Sequence, residues 1–217
     1  DLVERYTEEE KVSIVPFYVS FDGEHYLKEG KEAKITDFYQ KMADNPDCYP
    51  KTSMPSVQDY MEVFRPFAEQ GLPVLCICLT QTFSGSMQAA INAKAELEQL
   101  KAQYAIEQEA LNTKSDLQNE QLKSLSLDPT LSDPEARIEI LDSQLVTGLQ
   151  GLLVKEAVGL RNAEAELDEA LEKLKEIRST GHIFFTTKDL KYLEHGGRIG
   201  KAACLAGSML REEKISA

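Results

Sequence analysis

Two clusters of hydroxyl side chains stand out as candidates for holding a small anion. Thr52-Ser53-Met54-Pro55-Ser56 comes immediately before a predicted helix, and Phe83-Ser84-Gly85-Ser86 lies between an apolar run and a second helical pattern. The first backbone N–H groups of a helix have no partner within it, and the helix dipole favours negative charge there. Two such turns that converge would bind one carboxylate or phosphate group.

Helix capping is the alternative explanation for both clusters. Ser56-Val57-Gln58-Asp59 approximates a capping box, and a serine of the second cluster is an ordinary N-cap. Capping leaves Thr52 and Ser53 unexplained, because both fall before Pro55 and outside the predicted helix. An anion site and a pair of helix caps therefore both remain open from the residues alone.

Two further features carry polar groups that suit an anionic ligand. Arg198, in Gly196-Gly197-Arg198-Ile199-Gly200, offers a permanently charged fork of donors, although a surface arginine after a helix end is also common. Asp142 and Ser143 follow a predicted strand, where open α/β sheets place their ligand contacts. The same pair is equally typical of a cap for the next helix.

A catalytic serine is the competing functional hypothesis. Thr82-Phe83-Ser84-Gly85-Ser86 lacks the glycine two residues before the serine that a nucleophile elbow requires. A serine hydrolase also needs a histidine base, and the candidates are His25, His182 and His195. None of the three stands in a pattern that marks a general base, so an enzyme that uses Ser84 is kept only as an alternative.

The elements that must position these residues alternate between strands and helices, which predicts an α/β protein with a mostly parallel sheet. The predicted strands are 11–19, 72–79, 137–141 and 182–186. The predicted helices are 35–42, 57–70, 145–162, 163–179 and 189–195. We expect an N-terminal α/β domain over residues 1–162 and the start of a second α/β domain over residues 163–217.

One predicted helix is longer than the alternating pattern requires. Residues 87–122 contain no proline or glycine and are rich in Ala, Glu, Gln, Lys and Leu. We interpret residues 97–133, approximately, as a helical insertion in the first domain. It is either a docking arm that makes the protein an interaction module, or a solvent-exposed insertion.

Composition argues against several other classes of protein. The 217 residues carry a formal charge of −13 without a basic stripe, which argues against nucleic acid and anionic membranes as partners. No apolar run approaches the ~20 residues of a membrane span, and no signal-peptide pattern opens the sequence. Cys48, Cys76, Cys78 and Cys204 form neither a CxxC motif nor a Cys/His cluster. We therefore expect reduced thiols, no metal site and a cytoplasmic location.

The ordered motifs of the chain resemble the DegV family of bacterial fatty-acid-binding proteins, the FakB type. The matching segments are, in order, 15–19, 52–56, 79–90, 142–143 with the helix at 148–153, 189–193 and 196–199. The resemblance implies a carrier of two α/β domains, without a cofactor or catalytic residue, that holds one long-chain fatty acid in an apolar tunnel between the domains. It also implies that the first strand and much of the second domain lie outside this sequence.

The resemblance further implies roles for individual residues. Thr52, Ser53 and Ser84 would contact the fatty-acid carboxylate, and Gly85 and Ser86 would support it. Arg198, Asp142 and Ser143 would lie near the pocket mouth or the surface that docks a partner. That partner would be a fatty acid kinase, which phosphorylates the carboxylate from ATP to give an acyl phosphate for phospholipid synthesis.

Overall fold

The computed structural model describes residues 5–112, 137–182 and 190–199. After a π-helical turn at Arg5–Glu9, the strands are β1 (Tyr18–Ser20), β2 (Leu27–Lys28), β3 (Lys51–Ser53), β4 (Val74–Cys78) and β5 (Ile138–Asp142). The helices are α1 (Ile35–Asp44), α2 (Val57–Glu69), α3 (Ser86–Asn112), α4 (Thr147–Asn162), α5 (Leu167–Thr180) and α6 (Lys191–His195).

The described residues belong to two compact units. The first unit contains Pro16–Met54 and the described residues from His182 onward, and the second contains the residues up to Val15 and the described part of Pro55–Gly181. This division differs from the boundary predicted at residue 162. The reason is that Leu171 and Leu174 of α5 pack in one core with Leu141 and Leu153, so α5 stays with the elements before it.

The first unit is built on a three-stranded antiparallel sheet in the order β2-β1-β3. The strand predicted at 11–19 begins only at Tyr18, which is consistent with Pro16 having no N–H for a sheet hydrogen bond. The prediction of a mostly parallel sheet does not hold for this unit. A short turn around Gly23 joins β1 to β2, and a connection that short permits only antiparallel pairing.

The second unit contains the parallel pair that the sequence predicted. β4 and β5 run parallel in the register Val74↔Ile138 to Cys78↔Asp142, and helices cover them, which confirms the α/β class. One core cluster joins Phe64 of α2 to Ala90 and Leu97 of α3. The carboxyl ends of β4 and β5 therefore lie side by side on a packed base.

The long helix begins at Ser86 and is described as far as Asn112, so the remainder of the predicted helix and insertion lies outside the described residues. Ala90 and Ala93 are fully buried, and side chains this small let α3 pack closely against its neighbours. Beyond His182, the residues of the strand predicted at 182–186 also lie outside the described part. The short helix predicted at 189–195 is present as Lys191–His195.

Candidate functional site

Thr52 and Ser53 lie in a strand, not in the turn that their composition suggested. Both belong to β3, where Thr52 pairs with Val19 and Ser53 pairs with Tyr18 of β1. Both side chains are exposed, and they point to opposite faces of the sheet because side chains alternate along a strand. The two hydroxyls are accessible, and the register fixes which face each one occupies.

Ser56 is a helix cap, as the capping hypothesis predicted. Its Oγ accepts a hydrogen bond from the Asp59 N–H at 3.1 Å, and Asp59 Oδ2 accepts one from the Ser56 N–H at 2.8 Å. The reciprocal pair is a capping box at the start of α2. Ser56 is thereby explained without any ligand.

The turn before α3 combines a cap with free helix donors. Ser84 Oγ accepts a hydrogen bond from the Ser86 N–H at 3.1 Å, and the first helical bond runs from the Ala89 N–H to the Gly85 carbonyl at 3.2 Å. Within the described residues, this leaves the N–H groups of Met87 and Gln88 without an acceptor. The turn can therefore donate two backbone hydrogen bonds to an anion.

Ser86 is the least expected residue of the turn. It is only 1% exposed, and within the described residues its Oγ makes no hydrogen bond of good geometry, although the Tyr60 hydroxyl lies close enough to interact with it. Buried hydroxyls almost always have a partner, because an unpaired one keeps the cost of leaving water. With only a contact to Tyr60 beside it, the Ser86 hydroxyl can still donate to a ligand group or a water at the start of the helix.

Sequence reasoning missed the side chains beneath Ser86. Tyr60 and Cys78 are buried beside it, and the Sγ atoms of Cys76 and Cys78 lie 3.6 Å apart. Burial, followed by the Cys78 and Cys76 charges, raises the pKa of Tyr60 well above its usual value, so its hydroxyl keeps its proton. The hydrogen bond between the thiols lowers the pKa of Cys78 and raises that of Cys76. The helical pattern of α2 can predict that Tyr60 is buried, but it cannot predict which residue lies beside the Tyr60 hydroxyl.

Asp142 and Ser143 form the connection from β5 to α4. Ser143 is fully buried; its N–H donates to the Cys78 carbonyl at 3.0 Å, and its Oγ accepts from the Leu145 N–H at 3.1 Å. Asp142 Oδ1 accepts from the Gln144 N–H at 2.9 Å. Both side chains are used to shape this turn, which lies at the same sheet edge as the β4 end that leads to Ser84.

Arg198 lies in a tight turn after α6 in the first unit. Gly197 has φ +72°, the Arg198 N–H donates to the Leu193 carbonyl at 2.9 Å, and the guanidinium donates to the Gly196 carbonyl. The Arg198 side chain is exposed. Thr52, Ser53 and Arg198 thus belong to one unit, and Ser84, Ser86, Asp142 and Ser143 belong to the other.

An apolar groove of about 360 Å³ opens in the second unit between α4 and α5. Its lining includes Leu145, Leu149, Leu152, Leu153, Ile177 and Gly181. Leu145 also accepts a backbone hydrogen bond from Thr80, just beyond β4, at 3.3 Å. The groove therefore begins at the sheet edge that carries the Ser84 turn, and it offers a surface for an aliphatic group.

The unit that holds Ser84 contains no histidine that could act as the base of a serine hydrolase. The three histidines of the chain all belong to the first unit. His25 Nδ1 lies 2.8 Å from Asp22 Oδ2 in an exposed turn, and the His195 ring stacks on Tyr49. Within the described ranges no group of three metal-binding side chains occurs, and no helix is long and apolar enough to cross a membrane.

The model of a family described as "Uncharacterised protein, DegV family" matches residues 1–211. A DegV domain-containing protein of Listeria monocytogenes is 27% identical over 209 residues, which cover 96% of this chain and 60% of the relative. One of Lactococcus lactis is 29% identical over 204 residues, 94% of this chain and 59% of the relative. The chain thus spans about 60% of the length of these curated relatives.

Solved structures show a similar fold. A stearic-acid-binding protein of Eubacterium ventriosum is 37% identical with a TM-score of 0.71, over 92% of this chain and 57% of that protein. A DegV family protein of Thermus thermophilus, described by its fatty acid binding, is 24% identical with a TM-score of 0.69, over 95% of this chain and 60% of that one. The Thermus thermophilus structure supports the fold. The Eubacterium ventriosum structure, with its higher sequence identity, supports a closer relationship to this chain.

Proposed function

The chain belongs to the DegV family, and from this premise we propose that it is a fatty-acid carrier and not an enzyme. Its ligand is a long-chain fatty acid. Its carboxylate ligands are drawn from the hydroxyls of Thr52, Ser53 and Ser84, with support from Gly85 and Ser86. Because Thr52 and Ser53 occupy opposite faces of β3, one of the two hydroxyls faces the carboxylate. The proposal needs no metal and no cofactor.

The observation that carries the proposal is the turn at the start of α3, where the buried Ser86 hydroxyl makes no hydrogen bond of good geometry within the described residues. A carboxylate removed from water needs several donors, and charge-assisted hydrogen bonds are the strongest that hydroxyl and N–H groups make. The turn supplies the Ser86 hydroxyl and the N–H groups of Met87 and Gln88 at the positive end of a helix of 27 residues. These donors of the turn hold an anion through hydrogen bonds, which suits a protein that must release its ligand to a partner.

The aliphatic part of the ligand is supported by two observations. The relative from Eubacterium ventriosum, 37% identical, is described as binding stearic acid. The leucine-lined groove between α4 and α5 offers apolar surface at the same sheet edge as Ser84. Burial of each CH₂ contributes ~0.8 kcal/mol, so a long chain supplies most of the affinity and few polar contacts are needed.

We further propose that the bound fatty acid is passed on to a second protein. The carrier presents the carboxylate to a fatty acid kinase, which transfers the terminal phosphoryl group of ATP to a carboxylate oxygen and releases ADP. The acyl phosphate then serves phospholipid synthesis. We place this exchange in the cytoplasm, where ATP is available and the cysteines stay reduced.

Lipid extraction from the natively purified 217-residue chain, followed by mass spectrometry, tests the carrier function. We expect a copurified long-chain fatty acid, whose amount falls in Ser84→Ala and is retained in Ser84→Thr. Recovery of no fatty acid, together with no binding of added stearate, would contradict the proposal. Cleavage of a p-nitrophenyl ester that disappears in Ser84→Ala would favour the hydrolase instead.

The kinase step has a separate test. The chain loaded with stearate is mixed with ATP and a candidate fatty acid kinase, and hydroxylamine traps any acyl phosphate as a hydroxamate. Hydroxamate that forms only when carrier, kinase and ATP are all present supports presentation to the kinase. Stearate binding without hydroxamate, with a kinase that is active on another carrier, would leave a fatty-acid-binding protein but contradict this partner.

A further inference from the structure

An aromatic contact joins two distant segments of the first unit. The Tyr49 ring stacks on the His195 imidazole with their centroids 3.7 Å apart and their planes 13° apart. The Tyr192 ring meets Tyr49 edge-on at 5.1 Å and 61°. We call these three side chains the aromatic clamp.

The clamp connects the two parts of this unit that carry proposed ligand groups. Tyr49 lies just before β3, the strand that contains Thr52 and Ser53, and His195 is followed directly by the turn that contains Arg198. Hydrogen bonds within the turn make it a compact extension of α6. The Gly196 N–H donates to the Tyr192 carbonyl, and the Gly197 N–H donates to the Glu194 carbonyl, each at 2.9 Å.

Core packing does not explain how α6 is held. The helix has five residues, and none of them is buried. A helix this short is not stable by itself, so contacts with the rest of the unit must fix it. Stacked aromatic rings have a preferred distance and orientation, and they can therefore set the position of α6 and of the turn behind it.

We propose that Tyr49 and His195 are positioning residues that hold the Arg198 turn and the Thr52–Ser53 strand as one carboxylate-binding surface. The inference rests on the proposed function, because it assumes that the ligand is a carboxylate. An arginine fork and a hydroxyl complement a carboxylate only when their spacing is fixed. The clamp supplies that spacing between two segments that the chain itself leaves far apart.

Selectivity for the head group distinguishes positioning from general stability. Binding of stearate and of octadecan-1-ol is measured for the unaltered chain, Tyr49→Ala, Tyr49→Phe and His195→Ala. We expect Tyr49→Ala and His195→Ala to weaken stearate binding roughly three- to tenfold, the range that an aromatic pair contributes. The alcohol should bind with unchanged affinity, and Tyr49→Phe should behave like the unaltered chain because it keeps the ring.

Two controls complete the experiment. Tyr39→Ala removes a tyrosine that is 64% exposed in the same unit, and it should not change either affinity. In an Arg198→Ala background, Tyr49→Ala should have little further effect on stearate, since the residue that it positions is already missing. Circular dichroism confirms that each variant is folded.

The outcomes separate this inference from the function on which it rests. If the unaltered chain binds no stearate, the proposed function fails and the inference fails with it. If stearate binds and Tyr49→Ala leaves its affinity unchanged, or weakens acid and alcohol equally, only the positioning role is overturned. Additive effects of Tyr49→Ala and Arg198→Ala would also overturn it.

Discussion

The Ser84 hydroxyl accepts the Ser86 N–H at 3.1 Å, so the side chain proposed to bind a carboxylate also caps the helix that helps to bind it. Ser84→Ala should therefore lower both stability and affinity. Loss of a cap costs about 1 kcal/mol, and loss of a hydrogen bond to a charged group weakens binding roughly tenfold or more. Urea unfolding and stearate titration measure the two effects.

Ser84→Thr is the matched control, since it keeps the hydroxyl. It should restore most of the affinity and most of the stability. If Ser84→Ala lowers stability but binds stearate normally, Ser84 is a cap and not a ligand.

Ser56→Ala should separate capping from binding in the neighbouring cluster. The variant breaks the capping box with Asp59 and should reduce the free energy of unfolding by about 0.5–2 kcal/mol. Its affinity for stearate should stay unchanged, because the Ser56 hydroxyl is already engaged with Asp59. Chemical unfolding and ligand titration of one preparation provide both numbers, and weakened binding would show that this end of α2 takes part in the site.

Two glycine substitutions in the second unit should have opposite effects. A Cβ at Gly181 would lie 3.2 Å from Leu145 Cδ2, so Gly181→Ala requires leucine side chains of the groove to move and should destabilise slightly. A Cβ at Gly159, inside α4, would meet open space, and Gly159→Ala should stabilise by about 0.5–1 kcal/mol through helix propensity. Thermal unfolding measures both. Stabilisation by Gly181→Ala would mean that the contact with Leu145 relaxes without cost.

The turn at Asp22 should make stability depend on pH in the acid range. The N–H groups of His25 and Glu24 each donate to Asp22 Oδ1 at 2.8 Å, and they lower the pKa of this carboxyl well below its ordinary value of 3.8. Because the folded pKa is the lower one, the ionised carboxylate stabilises the turn fully above about pH 3.8. That contribution is lost as the pH falls towards the folded pKa.

Asp22→Asn should therefore lower the free energy of unfolding at pH 6. In this variant, the free energy of unfolding should also fall less when the pH is lowered than it does in the unaltered chain. Unfolding by urea at several values between pH 3 and pH 6 tests this, and Asp47→Asn, at an exposed aspartate of the same unit, is the control. An identical pH dependence for the unaltered chain and Asp22→Asn would contradict the expectation. The effect should be small, since the carboxylate is solvent-exposed.

Local signals predicted the elements around the site well. The serine cap and the apolar spacing of 57–70 predicted α2, and the unbroken apolar run before Thr80 predicted β4, because both depend on neighbours along the chain. Thr52 and Ser53 were assigned to a turn because their strand is defined only by pairing with β1. A pattern of three residues contains too little periodicity to reveal that partner.

Contacts between distant residues could not be predicted from the sequence, for a related reason. Nothing near Tyr49 indicates that His195 stacks on it, and nothing near Ser86 indicates that Tyr60 lies beside it. Each contact depends on how separate elements pack. The site residues could be proposed from motifs, whereas their burial and partners required the three-dimensional arrangement.

The register of β3 has a consequence for insertions and deletions. Thr52 shares a face with Val19, and Ser53 shares the opposite face with Tyr18. A slip of β3 by one residue would move each of the two hydroxyls to the other face of the sheet. A slip by two residues would leave every side chain of the strand on its original face. The segment between α1 and β3 should therefore accept changes in length only where the pairing of β3 with β1 stays in register. A single-residue slip of the ladder would put Ser53 or Lys51, depending on its direction, at the position of Thr52.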